Sequence, residues 1–377
     1  MFNRLYVHVP FCVKKCHYCA FVSTSPEEAE LSEYPVLLLH ELQLHTTGNT
    51  PLASIYFGGG TPSLLQPQHL SELLDGIKAH TPIREDAEIT LEANPGTVDG
   101  ASLKEFRKAG INRISLGIQS FEDHFLKTLG RIHTVEQSRQ AFLDARETGF
   151  TNISIDLIHS LPGQSLDQWR SELQHAIELS PEHISIYGLT IEDGTHFART
   201  YVPDSPELVD DDLSADMFEL ADKLLTAAGF EHYEIANYAR PGYRSQHNSG
   251  YWSRDGYLGL GVAAHSLLLD GYGVRFSNPD NLLEYRQGIL SARPARIDEH
   301  KLTLDDAMSE FMFLGLRLSD GVNLRDFERA FGRSLESAYG PATTALEQLG
   351  LVVRKDEVLA LTLKGMLLSN QVFARFL

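Results

Sequence analysis

All three cysteines of the 377-residue chain lie in one short stretch near the N-terminus. They are Cys12, Cys16 and Cys19, spaced as C-x3-C-x2-C directly after a strand-like run. A cysteine that only packs in a core can occur anywhere along a chain, because it behaves as a small hydrophobe. Three cysteines in one loop indicate ligands of a single centre. The fold must therefore place this loop where three thiolates face the same space.

The number of cysteines limits the centre that they can hold. A structural zinc ion takes four ligands in a closed site. A cubane iron–sulfur cluster has four irons that each take a terminal ligand, so three cysteines leave one iron open for a substrate group. Two alternatives stay open at this point. One is a zinc site that His17 completes, and the other is a disulfide with one free thiol.

The charge balance and the cysteine count indicate the class of protein and its compartment. The formal net charge is −19, which argues against binding to nucleic-acid phosphates, because that needs a basic surface. No apolar run approaches the ~20 residues of a membrane span, so at most a peripheral membrane association is expected. Strand-like sequence follows Met1 almost at once, without a signal peptide. Free thiols then favour a reducing compartment, the cytoplasm.

The first half of the chain alternates strand-like and helix-like segments at roughly thirty residues per unit, as in βαβ units. This order predicts a parallel sheet covered by helices. The predicted strands are 5–9, 53–57, 88–92, 113–117, 152–157 and 183–187, and the predicted helices are 25–45, 67–80, 100–109, 134–148 and 165–179. Ser25 and Pro26 predict the start of the first helix. Polar and glycine-rich motifs follow the strands, at the rim where β/α barrels place their chemistry.

The second half has a different pattern. A helix is predicted over 208–228, and its acidic start is interpreted as a solvated helix N-terminus. A stretch rich in Gly, Tyr and His follows at 242–265. Helices at 305–318, 324–331 and 335–349, a hairpin at 352–361 and a last helix are typical of a winged-helix-like packing or protein-contact module. The predicted domains are 1–200, 201–300 and 301–377.

The motifs taken together resemble the oxygen-independent coproporphyrinogen III dehydrogenase group of the radical S-adenosylmethionine (SAM) superfamily. The matching motifs are Tyr6-x5-Cys12, Gly58-Gly59-Gly60-Thr61-Pro62, Glu92-Ala93-Asn94-Pro95, Gly117-x-Gln119-Ser120-Phe121, Gly130-Arg131-x-His133 and Asp156-Leu157-Ile158-x-x-Leu161-Pro162. The resemblance implies an α/β fold, a partial (β/α)6 barrel of TIM type with a mainly helical C-terminal domain. It also implies a 4Fe-4S cluster on the three cysteines, with SAM chelated by the open iron.

The resemblance further implies contacts with one or two SAM molecules. These fall on Tyr6, Tyr18, Gly59, Gly60, Thr61, Glu92, Gln119, Arg131 and Asp156. The residue types suit the ligand. Glycines let the backbone approach it, an aromatic ring suits adenine, and an arginine fork suits a carboxylate. Taken one at a time, each has a plainer alternative, such as a tight turn, a strand tyrosine or a surface ion pair.

Within this group the sequence most resembles the HemW haem chaperones. Phe21 stands where the dehydrogenases carry a further cysteine, and their N-terminal extension before strand one is absent from this sequence. His247-Asn248-Ser249-Gly250-Tyr251-Trp252 matches the His-Asn-x-x-Tyr-Trp motif of HemW proteins. The match implies that His247 ligates haem. The alternative is a loop histidine bonded to a backbone carbonyl. His265 is a second, weaker candidate.

The resemblance implies a chaperone that holds haem b, a 4Fe-4S cluster and SAM, and that delivers haem to respiratory haem proteins. A homodimer is compatible with this role. The alternative is an enzyme, an oxygen-independent coproporphyrinogen III dehydrogenase that decarboxylates its substrate to protoporphyrinogen IX. A third hypothesis is a radical enzyme that acts on another large substrate. Whether the chain is an enzyme stays open at this stage, because Phe21 and the missing extension both count against the dehydrogenase.

Overall fold

The computed structural model describes residues 1–45, 50–202, 205–294 and 296–377. Its first half alternates strands and helices along the chain. These elements are β1 (Arg4–Val9), α1 (Glu28–Leu44), β2 (Leu52–Gly59), α2 (Pro67–His80), β3 (Ile83–Ala93), α3 (Gly100–Ala109), β4 (Arg113–Gln119), α4 (Asp123–Leu129), α5 (Val135–Glu147), β5 (Ile153–His159), α6 (Leu166–Leu179) and β6 (His183–Gly188). The six predicted strands and the five predicted helices are present, and α4 is an additional helix.

The next segment contains short strands and helices. They are α7 (His196–Thr200), α8 (Asp211–Ala227), β7 (Glu231–Glu234), β8 (Asn237–Ala239), α9 (Gln246–Trp252), β9 (Tyr257–Leu260), β10 (His265–Leu268), β11 (Val274–Ser277), α10 (Leu282–Leu290) and β12 (Ile297–Lys301). The side chain of Asp210 caps α8 by accepting from Leu213 N–H. The acidic cluster therefore includes a helix N-cap, as the sequence predicts.

One large sheet joins these two segments. Its strand order is β12-β11-β10-β9-β1-β2-β3-β4-β5-β6-β8-β7. Strands β1 to β6 run parallel, and β9 adds a further parallel strand beside β1. Within the described ranges the edge strands β12 and β7 do not pair, so the sheet is open. The open, partial barrel expected from the sequence is confirmed, and the segment after residue 200 extends both of its edges.

The strands separate apolar and polar side chains onto opposite faces. On β2, Ile55 and Phe57 are fully buried in the main apolar core, which also contains Leu73 and Ile77 of α2. Ser54 and Tyr56 alternate with them and point to the other face. The helices thus cover an apolar outer face, and the inner face carries polar groups that line the space inside the partial barrel.

The start of the first helix differs from the prediction. Helix α1 begins at Glu28, and Glu27 and Glu30 form its capping box. Ser25 does not cap it, because the Ser25 hydroxyl donates to the carbonyls of Cys12 and Val13, at 3.3 Å each. The chain between the cysteine loop and the helix is therefore held onto that loop.

The C-terminal part forms a smaller unit with its own apolar core. It comprises α11 (Leu304–Gly315), β13 (Val322–Asn323), α12 (Leu324–Phe331), α13 (Leu335–Gln348), β14 (Val352–Lys355), β15 (Val358–Leu361), α14 (Leu363–Leu367) and α15 (Ser369–Phe373). The predicted last helix is two short helices. Strands β13, β15 and β14 form an antiparallel sheet beside the helices, which confirms a mainly helical domain. The exact domain boundaries remain a prediction.

The described residues include no helix that is both long and apolar enough to span a bilayer.

Candidate functional site

A cavity of ≈ 520 Å³ opens at the C-terminal ends of the parallel strands. The cysteine loop, the loop after β2 and the ends of β3, β4, β5 and β6 surround it. Of the residues predicted to form the site, it is lined by Cys12, Cys16, Cys19, Tyr18, Gly59, Gly60, Thr61, Glu92, Gln119, Arg131 and Asp156. The fold brings these together because parallel strands end at the same edge of the sheet.

The cysteine loop presents three free thiols to this cavity. The loop is fixed by its backbone, since Cys12 N–H donates to Thr24 O at 2.9 Å. Each of two thiols receives a hydrogen bond, from the Thr61 hydroxyl to Cys12 Sγ at 3.6 Å and from Arg131 to Cys16 Sγ at 3.4 Å. Burial raises the pKa of the Cys19 thiol. The disulfide alternative does not match this arrangement.

The structure also places His17 outside the group of thiols. Its Nδ1 bonds to Thr128 O at 2.8 Å, and its ring stacks on His196. Within the described ranges, no three His, Cys, Asp or Glu side chains surround the position of a single metal ion. A zinc site completed by His17 is therefore not formed. Three thiols around one cavity fit a polynuclear cluster, which is wider than one ion and takes thiolate ligands.

The glycine loop provides close backbone approach to the cavity. Gly59 has φ +109°, and a Cβ there would lie 2.5 Å from the His8 ring. A Cβ at Gly60 would lie 2.7 Å from Phe11 O. Neither position tolerates a larger residue. The cavity wall at Gly59 and Gly60 therefore consists of backbone atoms without side chains. Such a wall suits a ligand that hydrogen-bonds to main-chain groups.

Two buried carboxyl groups face the cavity from β3 and β5. Glu92 accepts from the Tyr56 hydroxyl at 2.7 Å and from Gly59 N–H at 3.2 Å. Burial raises the pKa of Glu92 to about 7, against the effect of these two bonds. Asp156 accepts from the Ser115 hydroxyl at 3.2 Å, and burial raises its pKa as well. Buried carboxylates with few hydrogen-bond partners in a cavity can bind a cationic or hydroxyl-bearing ligand.

Arginine, amide and aromatic side chains complete the wall. Arg131 donates to Gly117 O at 2.8 Å, and its Nε is buried without a partner. Burial opposes its charge, but the neighbouring Tyr18 and Cys16 raise the pKa of Arg131, so the guanidinium stays cationic. Gln119 holds φ +68°, an unusual conformation for a residue with a side chain. Strain of this kind concentrates at ligand sites.

Tyr6 is placed differently from the other predicted contacts. Its hydroxyl bonds to His8 Nδ1 at 3.1 Å, and its ring lies 6.3 Å from that of Tyr56. It does not line the cavity. Tyr6 lies on the inner face below the glycine loop, and its contact with SAM stays a prediction.

His247 does not line the cavity. It lies in α9 beside Ser54 in the first half of β2, and its ring is 5.0 Å from that of Tyr56. It is 1% exposed, and its Nδ1 and Nε2 each form a 2.8 Å hydrogen bond, with Ser54 and Tyr251 respectively. Burial lowers its pKa well below the usual value, so the ring is neutral. In this arrangement neither nitrogen is free for an iron. The partners are side chains, whereas the sequence-based alternative expected a carbonyl.

The rest of the haem-linked motif connects two parts of the molecule. The Arg317 guanidinium lies over the Trp252 ring, 4.1 Å from the ring centroid. Its Nη2 is 3.7 Å from Glu234 Oε2. Residues of the motif therefore fill the end of the sheet away from the cavity, here called the closed end, and contact the C-terminal domain. His265 is exposed on β10 and does not line the cavity.

Sequence reasoning missed several residues of the cavity. Tyr187 and Ser115 line it from the inner faces of β6 and β4, and Tyr56 positions Glu92. Asn94 links Thr61 to Arg131. A signal exists in the sequence, because Asn94 directly follows the end of β3 inside a recognised motif, but its partners come from distant segments.

Comparisons with known proteins agree with this geometry. The Radical SAM superfamily model matches residues 6–176, and that of the HemN C-terminal domain matches 302–368. The heme chaperone HemW of Bacillus subtilis (strain 168) is 36% identical over 377 residues, 99% of this chain and 98% of that protein. HemW of Escherichia coli (strain K12) is 45% identical over 289 residues, 75% of each chain.

The chain belongs to the HemW family of radical SAM proteins. The solved coproporphyrinogen III oxidase (HemN) of Escherichia coli has the same fold, with a TM-score of 0.85 over 100% of this chain and 90% of that one, at 24% identity. That likeness concerns the fold alone. Membership of the HemW family implies a 4Fe-4S cluster and SAM, and the thiols, glycine backbone and cavity carboxyls described above fit both.

Proposed function

We propose that the protein is a haem chaperone that binds haem, a 4Fe-4S cluster and SAM. The observation that carries this proposal is full-length similarity to proteins named as HemW, and a cavity lined by the three cysteines supports it. The coproporphyrinogen III dehydrogenase alternative has weaker support. Phe21 is 66% exposed on the cysteine loop, in the position of the additional cysteine of those enzymes.

In this proposal the cavity residues have distinct tasks. Cys12, Cys16 and Cys19 would hold the cluster, and the cluster, when bound, supplies an electron for chemistry on SAM. Gly59 and Gly60 admit the ligand to the backbone without a Cβ in the way. Glu92 and Asp156 would accept hydrogen bonds from hydroxyl or ammonium groups of SAM, while Arg131 would pair with its carboxylate. Thr61, Gln119, Tyr18 and Tyr6 would complete the SAM contacts.

The haem site is a separate part of the proposal. His247 can ligate haem only after Ser54 and Tyr251 release its ring and α9 moves away from the inner face. We propose that haem b is the cargo, and that haem acceptors are respiratory haem proteins reached from the cytoplasm by at most peripheral membrane contact. A homodimer would bring two such sites together.

Two anaerobic measurements test the function. Haem titrated into the unaltered protein should give a saturable spectral change, whereas SAM, reductant and coproporphyrinogen III added to the reconstituted protein should give no protoporphyrinogen. Turnover of coproporphyrinogen would contradict a pure chaperone. No saturable haem change would contradict haem binding.

His247→Ala tests the haem ligand separately, and His265→Ala tests the second candidate in the same titration. Loss of the haem spectrum in the first variant alone supports His247. An unchanged spectrum in both removes His247 from the site without affecting the cluster assignment.

A further inference from the structure

Two cluster thiols receive hydrogen bonds from side chains that one amide connects. The Thr61 hydroxyl bonds to Cys12 Sγ at 3.6 Å, and Arg131 Nη1 bonds to Cys16 Sγ at 3.4 Å. Asn94 lies between the two donors. Its Nδ2 donates to Thr61 Oγ1 at 2.9 Å, and its Oδ1 accepts from Arg131 Nη2.

The chemistry of these groups fixes the direction of every bond. A guanidinium only donates, so the amide oxygen of Asn94 must face Arg131. The amide nitrogen then faces Thr61 and donates to the hydroxyl oxygen. Because that oxygen is already accepting from Asn94, its proton is free to point at Cys12 Sγ. One amide orientation therefore aims both donors at two different sulfur atoms.

The backbone holds Asn94 in this position. It caps a short 3-10 helix, Pro95–Thr97, directly after β3, and Thr97 N–H donates to its carbonyl at 2.9 Å. Space is provided by Gly117, where a Cβ would lie 3.3 Å from Asn94 Oδ1 and 3.2 Å from Arg131 Nη2. The end of β3 thus sets the position of the Asn94 side chain, and Gly117 of β4 leaves room for it.

We propose that Asn94 is a positioning residue that sets the reduction potential of the cluster, by holding the Thr61 and Arg131 donors on the Cys12 and Cys16 sulfurs. Hydrogen bonds and positive charge at cluster sulfurs stabilise the more negative, reduced state, and they are a main determinant of cluster potential. Removing the amide takes a hydrogen-bond partner from both donors at once, although Arg131 keeps its bond to Gly117 O at 2.8 Å. The inference rests on the proposed cluster and adds a regulatory role for residues of the same site.

The experiment is a redox titration of the reconstituted full-length protein, followed by the EPR signal of the reduced cluster. Asn94→Ala should lower the midpoint potential, changing the reduced-to-oxidised ratio at a fixed potential by at least about threefold, or ~28 mV for one electron. Thr61→Val should give a smaller shift of the same sign. In the double variant the Asn94→Ala shift should be clearly smaller than in the unaltered background.

Asn112→Ala is the matched control. The oxygen of its side-chain amide accepts from Ile89 N–H and the nitrogen donates to Ala87 O, at 2.8 Å each. These partners are backbone groups at the end of the strands away from the cysteines. It should lower stability and leave the potential unchanged. Resonance Raman provides a second readout, because loss of the hydrogen bonds should shift the Fe–S(Cys) stretching bands in Asn94→Ala and not in Asn112→Ala.

The outcomes separate the inference from the function beneath it. If the unaltered protein takes up no cluster iron, the proposed cluster fails. If the cluster assembles but Asn94→Ala shares the potential and the Raman bands of the unaltered protein, or if its shift adds fully to that of Thr61→Val, the role of Asn94 is overturned. Should Asn94→Ala not fold, Thr61→Val and Arg131→Gln decide, since unchanged potentials in both overturn the proposal.

Discussion

Glu88 and Glu92 lie on the same strand and the same face, two pleat repeats apart, towards opposite ends of the inner space. Glu88 is saturated, because it accepts from the backbone of Gln246 at 2.9 Å and of His247 at 3.0 Å, with Arg113 at 4.0 Å. Glu92 has fewer partners and faces the cavity. Fully bonded polar groups hold a fold together, whereas incompletely bonded ones are available for ligands.

The same contrast applies to the His247 motif and the cysteine loop. His247 at the closed end is bonded through both ring nitrogens, as a structural residue would be. At the cavity, which is the open end of the sheet, three thiols line the wall. Two of them accept a hydrogen bond from a side-chain donor. The comparison teaches that chemical type alone does not mark a site. The decisive property is whether the bonding capacity of a group is already used.

The largest expected effect is at the cysteine loop. Cys16→Ser should abolish nearly all 4Fe-4S absorbance after anaerobic reconstitution, because a cluster with two protein ligands is not retained. His17→Ala, one residue away, should keep the full iron content, since His17 bonds to Thr128 O. Iron and sulfide analysis checks both. A normal cluster in Cys16→Ser would contradict the assignment of the open end.

At the closed end, Glu88→Gln should lower the free energy of unfolding by about 3 kcal/mol, because an amide cannot replace a carboxylate that accepts several buried donors beside Arg113. Urea denaturation measures this. The affinity of the reconstituted protein for SAM should remain as in the unaltered protein. A large loss of SAM affinity with normal stability would contradict the assignment of Glu88 as a structural residue.

Glu92→Gln should show the reverse pattern, with SAM affinity reduced about tenfold and no loss of stability at neutral pH, because burial raises the pKa of Glu92 and its ionised form therefore opposes folding. The pKa of about 7 adds a pH test. Below pH 7 the carboxyl is protonated before SAM binds, so SAM affinity should be about tenfold weaker at pH 6 than at pH 8. Equilibrium binding of SAM at both pH values checks this. The Gln variant should lack the pH dependence, and a steep dependence there would rule out Glu92 as its source.

The smallest effect concerns the neutral ring of His247. Its pKa is lowered by burial and by the charges of Arg4 and Arg113. The unfolded chain therefore takes up this proton first as pH falls below about 6.5, and the folded state loses stability there. Relative to His247→Gln, the unaltered protein should lose about 1.4 kcal/mol between pH 7.5 and pH 5.5. Equal pH profiles of unfolding would show that the ring has the same pKa in the folded and the unfolded chain.

Much of the open end was predictable from sequence. The cysteine spacing, the glycine loop and the polar residues after successive strands all lie at strand ends, and parallel strands bring their ends to one edge. Helix α3 has the predicted range, 100–109, and Gly110 with φ +115° follows its last residue. Tyr6 and the helix start at Ser25 were less predictable, because the first depends on depth within the sheet and the second on a contact with the cysteine loop.

The amino-acid sequence alone predicts the cluster ligands, and it was sufficient for the order of strands and helices and for the family. It could do so because ligand spacing and strand periodicity are local properties of the chain. Three features became visible only in the three-dimensional structure: both ring nitrogens of His247 are bonded, β9 adds a parallel strand, and Asn94 connects the two donors to the thiols. These depend on contacts between segments far apart in sequence, such as Ser54 with His247, and no local pattern records whether a side chain's hydrogen bonds are already satisfied.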